Sequence, residues 1–422
     1  MPTYYITTLN IIIPIFVILI LLEIFYANII NKSFVIRSMD TLSSLCSGLT
    51  NVIRDVLGLT IIIVSYSFMV DNFALFTIKT TWITYVVAFI GIDFAGYWVH
   101  RINHSINYFW NHHIVHHSSE EFNLACALRQ SISNFFSLTF VFLIPTAIVG
   151  VPAEVITFLA PLHLFAQYWY HTRLIGKLGF LEYILVTPSH HRVHHAINKE
   201  YLDKNLSQIF IIWDKLFGTF QKELNEVPPV YGVKRPVRSW NPIFINFTHL
   251  MVLIKDAWRT NNLYDKLRIW FMPTGWRPKD VENEFPIVFI DSSNDYEKYY
   301  PNLSMKLQIW SWIQYILIFC FMMYFINNLY RISFVEGIQY AVFLYVSIYG
   351  LTSLMDQDSY AWIFEIGKSL FGFVLIIFYG DWFFISTYSD YAIILLQIYF
   401  ISSSIIVLYF SFYEKKLIPV TN

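Results

Sequence analysis

Eight histidines in three short motifs are the residues of this chain best suited to chemistry: His100-Arg-Ile-Asn-His104, His113-Ile-Val-His116-His117 and His191-Arg-Val-His194-His195. They read as HxxxH, HxxHH and HxxHH. Residues at i, i+3 and i+4 share one face of a helix, so each motif can aim its rings at a common point. Neutral imidazole is the commonest metal-ligand side chain. Eight rings are too many for one tetrahedral zinc but suit two ions with about four rings each and positions left open for other ligands. Twelve of the 13 histidines fall between residues 100 and 195, a density that packing does not explain. The remaining one, His249, reads as an ordinary surface or interface residue.

Several neighbours belong to the same reading. His112 and His190 each pair at i+4 with a motif histidine, so either could replace His113 or His191. His171, closing Gln167-Tyr-Trp-Tyr-His171, is a ninth candidate ligand or a residue that orients one, and His163 is expected in the core or lining a pocket. Asp93 lies within an apolar segment, where an ionisable group is expensive and therefore a functional candidate. It shares a helix face with Tyr97, His100 and His104, and is expected to hold a ring N–H so that the other nitrogen meets a metal. A charge pair with Arg101 is the alternative. No HExxH occurs, which demotes zinc-assisted hydrolysis. Redox-active iron accepts imidazole and, as a pair with open positions, can activate O2 against an unactivated C–H bond. Tyr97, Trp98, Trp110, Tyr168, Trp169 and Tyr170 flank the motifs as a tunnel lining or an interfacial belt.

The surrounding elements must be membrane helices. Hydrophobic residues make up 56% of the chain and charged ones 14%, with mean hydropathy +0.50. Windows long enough to cross ~30 Å of hydrocarbon run at Leu9–Ile30, Trp82–Val99, Ser131–Val149, Ala153–Tyr170, Ile309–Leu329, Phe334–Leu351, Trp362–Phe378 and Ile393–Phe410, with a shorter one at Val56–Val70. The first carries Glu23 and lacks a basic leader, so it reads as a span and not a removed signal peptide. The expected fold is thus all-α and polytopic, about nine apolar helices. The pair within Ser131–Tyr170, joined by Gly150-Val151-Pro152 and carrying Pro145 and Pro161, reads as a kinked, spanning or re-entrant hairpin.

Net charge is −1, but basic residues cluster at Lys32, Arg37, Arg54, Arg101, Arg129 and through 172–305, with Lys415 and Lys416 near the end. By the positive-inside rule these face the cytoplasm, and the histidine motifs with them. Three divisions follow: 1–225 with every metal motif, a polar cytoplasmic connection 226–305, and a C-terminal bundle 306–422. Cys46, Cys126 and Cys320 form no disulfide framework, and no Gly-rich fingerprint of a built-in reductase occurs. Asp356 and Asp358 read as a solvated loop. Glu365 and Lys368 are placed to pair three residues apart, and Arg129 and Gln130 to contact a headgroup or support a ligand. A lipid substrate and O2 are the expected partners, and a nucleic acid is not expected.

The stretches DFAGYWVHRINH, WNHHIVHHSSEEFNLACALRQS and TPSHHRVHHAINKEYLDKNLSQIFIIWDKLFGTF, across residues 91–221, resemble the fatty acid hydroxylase/sterol desaturase superfamily and, within it, the alkylglycerol monooxygenase branch. Pro273-Thr-Gly-Trp-Arg-Pro278 and the additional C-terminal spans also resemble that branch. The resemblance implies an iron-dependent monooxygenase of the endoplasmic reticulum that hydroxylates the ether-bearing carbon of 1-O-alkylglycerols or lyso-ether lipids, with tetrahydrobiopterin as electron donor. It implies metal ligation by His100, His104, His113, His116, His117, His191, His194 and His195. A glutamate often follows HxxxH in the family, whereas Ser105 stands here. Glu120 or Glu121 would then take that part, or the donor differs. The alternatives are a sterol or fatty-acyl hydroxylase or desaturase using a b-type cytochrome and, outside enzymes, a metal transporter or buffer.

Overall fold

The computed structural model describes residues 3–31, 36–59, 64–134, 138–290 and 292–414; Lys32, Lys415, Lys416 and part of the Val56–Val70 window lie outside the described residues. These residues form helices and no strands, in chain order α1 (Thr3–Phe25), α2 (Ser38–Val56), α3 (Tyr66–Phe73), α4 (Trp82–Ser105), α5 (Asn107–His117), α6 (Thr139–Val149), α7 (Ala153–Phe165), α8 (Pro188–His194) and α9 (Ile212–Phe217). There follow α10 (Pro242–Arg259), α11 (Leu263–Arg268), α12 (Lys279–Glu284), α13 (Met305–Asn328), α14 (Phe334–Met355), α15 (Ala361–Tyr379) and α16 (Ala392–Leu408).

Six helices among the described residues are long and apolar enough to cross a membrane: Ile6–Ile30, α4, α13, α14, α15 and Ala392–Tyr413. The two windows expected at Ser131–Val149 and Ala153–Tyr170 form only α6 and α7, of 11 and 13 residues. At 1.5 Å per residue these are about 16 and 20 Å long, short of the ~30 Å hydrocarbon core. The chain reverses between them at Gly150, whose φ of +89° suits glycine and whose α-carbon lies against the Phe76 carbonyl, leaving no room for a side chain.

One apolar core joins α1 and α2 to α13–α16 through residues such as Leu42, Ile53, Met322, Phe343 and Trp382. A smaller one packs α3, α4, α6 and α7 around Met69, Ala88, Ala95 and Val155. The segment between Val227 and Lys306, expected as a polar connection, forms α10–α12 over the histidine region. Asp356 belongs to this attachment and not to a solvated loop. It accepts hydrogen bonds from Ser239 Oγ at 2.5 Å, Trp240 N at 2.8 Å and Tyr299 OH at 3.1 Å, because the α14 end and the connection fold onto each other there.

Candidate metal centre

The histidines sort by helical angle and not by motif. Five of them, His100, His104, His113, His117 and His194, present ligand atoms within 4.8 Å of one another, and His116, His171, His191 and His195 form a second such group. The expectation that each motif aims at one point therefore needs correction. At 100° per residue, i and i+4 lie about 40° apart while i+3 falls about 60° to the other side of i. Accordingly α5 gives His113 and His117 to the first group and His116 to the second, and α8 with its C-terminal residue gives His191 and His195 to the second and His194 to the first. Both HxxHH motifs straddle the pair of groups. His100 and His104 at the end of α4 complete one, and His171 completes the other.

Five of the ring tautomers are set from outside. His100 Nδ1 donates to the Leu206 carbonyl at 2.7 Å, His194 Nδ1 to that of Lys204 at 3.0 Å, His116 Nδ1 to that of Arg129 at 3.2 Å and His171 Nδ1 to that of Gln167 at 3.1 Å. His104 Nδ1 donates to the Asp203 carboxylate at 3.1 Å. A carbonyl only accepts, so these Nδ1 atoms carry the hydrogen and the Nε2 lone pairs point inward. His171 and His116 then face each other with Nε2 atoms 3.4 Å apart and no proton to share between them. His104, His117 and His194 have buried Nε2 atoms without any hydrogen-bond partner. Lone pairs converging on one point in a buried setting fit a cation, and an acceptor holding the Nδ1–H of each ring is the usual support of imidazole ligands.

Burial, reinforced by neighbouring rings, holds His113, His117, His171, His191, His194 and His195 well below the usual imidazole range and His116 down to about 3. They remain neutral at pH 7, as ligands must be. His112 and His190 join neither group: His112 packs on Tyr108 with ring centroids 4.9 Å apart, and His190 on Phe220 at 5.6 Å.

The structure gives Asp93 partners other than those expected. Fully buried, it accepts from His163 Nε2 at 2.8 Å, Ile209 N at 2.9 Å, Phe210 N at 3.1 Å and Trp213 Nε1 at 2.8 Å. None of these is a grouped histidine, because Asp93 sits nearly two turns before His100 and meets the 209–213 segment instead. Arg101 is not its partner either; it donates to Tyr97 OH at 2.9 Å. Glu120 is likewise engaged away from the rings, with Tyr296 OH at 2.9 Å and Tyr299 N at 2.5 Å, and burial raises its carboxyl. Glu121 meets Lys298 at 2.7 Å. Ser105 Oγ donates back to the Arg101 carbonyl at 2.6 Å.

Sequence reasoning passed over the loop that orients the first group. Asp203, Lys204 and Leu206 supply the acceptors for His104, His194 and His100, and Asp203 and Asn205 adopt φ of 55° and 54°, a conformation their side chains tolerate better than most. Asn205 Nδ2 ties the loop to the His190 and Gln221 carbonyls, while Asp214 accepts from Leu206 N at 2.7 Å and Ser207 N at 2.9 Å. The signal was present as the Asp203-Lys-Asn205 and Trp213-Asp214 pattern. Arg129 acts from beneath: its guanidinium meets Asp40 at 2.8 Å and its carbonyl holds His116.

A cavity of ≈ 360 Å³ reaches His104, His117 and His194 and runs between Trp110, Ile114, Leu253 and Phe289 to Lys234 and Arg235. His249 lines it rather than an outer surface. Of the six flanking aromatics only Trp110 lines this cavity; Tyr97 is buried against Phe217, Tyr168 against Phe16 and Tyr170 against His191.

Six candidate membrane spans among the described residues and two imidazole groups able to hold metal define a membrane protein of the fatty acid hydroxylase type, and residues 85–219 match the fatty acid hydroxylase family model. The chain is 34% identical over 358 residues to alkylglycerol monooxygenase of Homo sapiens, an alignment covering 83% of this chain and 78% of that protein. It is 34% identical over 290 residues to alkylglycerol monooxygenase of Xenopus tropicalis (67% and 63%) and 37% over 267 residues to that of Danio rerio (63% and 59%). This chain belongs to the alkylglycerol monooxygenase family. No solved structure matches it.

Proposed function

We propose that this protein is an O2-dependent monooxygenase that hydroxylates the ether-bearing carbon of 1-O-alkylglycerols or lyso-ether lipids. One oxygen atom of O2 enters the C–H bond and the other leaves as water, with two electrons and two protons supplied by a donor. The hemiacetal so formed breaks its C–O bond to give a fatty aldehyde and the glycerol alcohol. The observation that carries this reading is the convergence of nine imidazoles, eight of them buried, in two groups beside an apolar cavity, in a chain of this family.

Two iron ions held by the two groups would supply the O2 activation and redox chemistry. The chain's own part is to bury the rings, fix the tautomers of five of them through the 203–206 loop, Arg129 and Gln167, and exclude water around the reacting carbon. The cavity's apolar walls suit an alkyl tail, and Thr248, His249 and Lys234 offer polar contacts to a headgroup. Tetrahydrobiopterin is the donor we favour, from the family resemblance. Residues 1–225 would form the catalytic domain, 226–305 its cytoplasmic cover and 306–422 a supporting bundle, in the endoplasmic reticulum membrane with the histidines facing the cytoplasm.

The test is to incubate membranes containing the protein with a 1-O-alkylglycerol, ferrous iron, O2 and tetrahydrobiopterin and to measure fatty aldehyde. Aldehyde that requires the pterin and is lost in the His191→Ala, His194→Ala double variant supports the reading. Absence of aldehyde from iron-loaded protein refutes it.

A further inference from the structure

The connection between the two halves exposes an apolar face that no candidate span accounts for. On α10, Met251, Ile254 and Trp258 recur at helical spacing, and the stripe continues through Leu263, Leu267 and Phe271. Trp258 is 85% exposed, Leu263 75%, Leu267 73% and Phe271 70%. Lys255, Arg259, Lys266 and Arg268 are interleaved with them. A contiguous patch of this kind calls for a partner. Apolar and aromatic residues beside basic ones are the pattern of a helix lying in a membrane interface.

The attachment of this segment fixes its depth. Residues 270–274 bond to the turn that ends the α4 span: Asn107 N to the Met272 carbonyl at 3.0 Å, Tyr108 N to that of Trp270 at 3.0 Å and Thr274 N to that of Ser105 at 3.1 Å. The other end is held at the close of the α14 span, through Asn241 Nδ2 to Ser353 Oγ at 3.1 Å and Trp240 N to Asp356 at 2.8 Å. Tyr299 also links the α14 end to the stretch that follows α5, its amide on Glu120 and its hydroxyl on Asp356. With both ends tied to one boundary, α10, about 27 Å long at 1.5 Å per residue, runs along that boundary and not through the bilayer.

We infer that α10 and α11 form an in-plane membrane anchor whose exposed face, Met251 to Phe271, is seated among the lipid headgroups and upper acyl chains. The occupant is the bilayer surface: the chain already crosses a membrane on either side of the segment, and the basic residues complement lipid phosphates. The opposite face of α10, with Val252 and Leu253, walls the cavity above His104, His117 and His194. A lipid can thus pass from the interface into the cavity along this helix.

The test uses the full-length protein in lipid nanodiscs. Cys46 and Cys126 are buried, so a Cys320→Ser background permits a single spin label at Leu263→Cys or Leu267→Cys, with exposed Lys199→Cys as the aqueous reference. The ratio of oxygen to nickel-chelate collisions is expected to rise several-fold at 263 and 267 over that at 199. A ratio equal to that at 199 overturns the anchor. So does low access to both reagents together with a doubled particle mass, which would make the face a contact between two copies. In unsubstituted protein, a lipid carrying a photoactivatable group near its headgroup should label peptides within 251–271. Labelling confined to the six spans contradicts the proposal.

Discussion

Two buried polar clusters in this molecule answer burial in opposite ways. In the C-terminal bundle, Lys368 Nζ meets Glu365 at 2.7 Å and Gln314 Oε1 at 2.9 Å, and Tyr399 OH donates to the same Gln314 oxygen at 2.9 Å. There an ammonium meets a carboxylate and their charges cancel, which holds α13, α15 and α16 in register, while Gln314 Nε2 and Glu365 Oε1 stay without a hydrogen-bond partner. The histidine centre does the reverse. Five of its nine rings direct their Nδ1 hydrogens outward to carbonyls and Asp203, and the Nε2 atoms of His104, His117 and His194 lie buried without a hydrogen-bond partner. A cluster whose charges cancel within it is a structural pin; one that leaves buried ring nitrogens converging without partners is a receptor for a cation.

The largest expected effect lies in the open cluster. His117→Ala should lower aldehyde formation by more than the roughly 100-fold upper range typical of groups one bond removed from a metal, with the thermal midpoint of the metal-free protein little changed. A fully active variant would break the comparison. In the closed cluster, Lys368→Met strands a buried carboxylate and should cost about 3–5 kcal/mol, read by denaturation in detergent. The Glu365→Leu, Lys368→Met pair should recover most of that loss with iron content unaltered. A double variant as unstable as the single, or one that loses iron, contradicts a purely structural role.

Smaller effects sharpen the distinction. Asp203→Ala removes the acceptor that fixes the His104 tautomer and should weaken metal binding about 10-fold, the low end of such effects because Asp203 is largely exposed. Metal titration of the variant reads this directly, and unchanged affinity counts against the orienting loop. The pH dependence is set by burial: His112 and His249 are lowered to about 4 and His116 to about 3. These rings stay neutral in the fold but take up protons near ~6.5 once unfolded. Their stabilising contribution is therefore present above about pH 6.5 and is lost as pH falls from there toward 4. The thermal midpoint should drop between pH 7 and 5, and metal should dissociate over the same range as protons compete for Nε2. A flat profile contradicts the buried neutral state.

Much of this centre could be read from spacing. HxxxH and HxxHH placed eight rings on helices, the phrase Gln167-Tyr-Trp-Tyr-His171 raised a ninth, and Glu365–Lys368 three residues apart pointed to their pairing. The division of rings between the two groups was not legible as first drawn, because i+3 and i+4 diverge by a full helical step of 100° and each HxxHH motif serves both groups. The partners of Asp93 and Glu120 depend on where the 209–213 and 293–299 segments fold back, contacts more than 100 residues apart in sequence that no local pattern encodes. The reversal between the short helices α6 and α7 was foreshadowed by Gly150-Val151-Pro152. The exposed face of α10–α11 was hidden because its apolar residues are diluted by charges, which lowers average hydropathy without removing the stripe.

Iron counted per chain in a preparation that forms aldehyde tests the central claim most directly. The account predicts about two ions per active chain, as expected of two imidazole groups that each accept a transition metal. Full activity with one ion or none bound would contradict it.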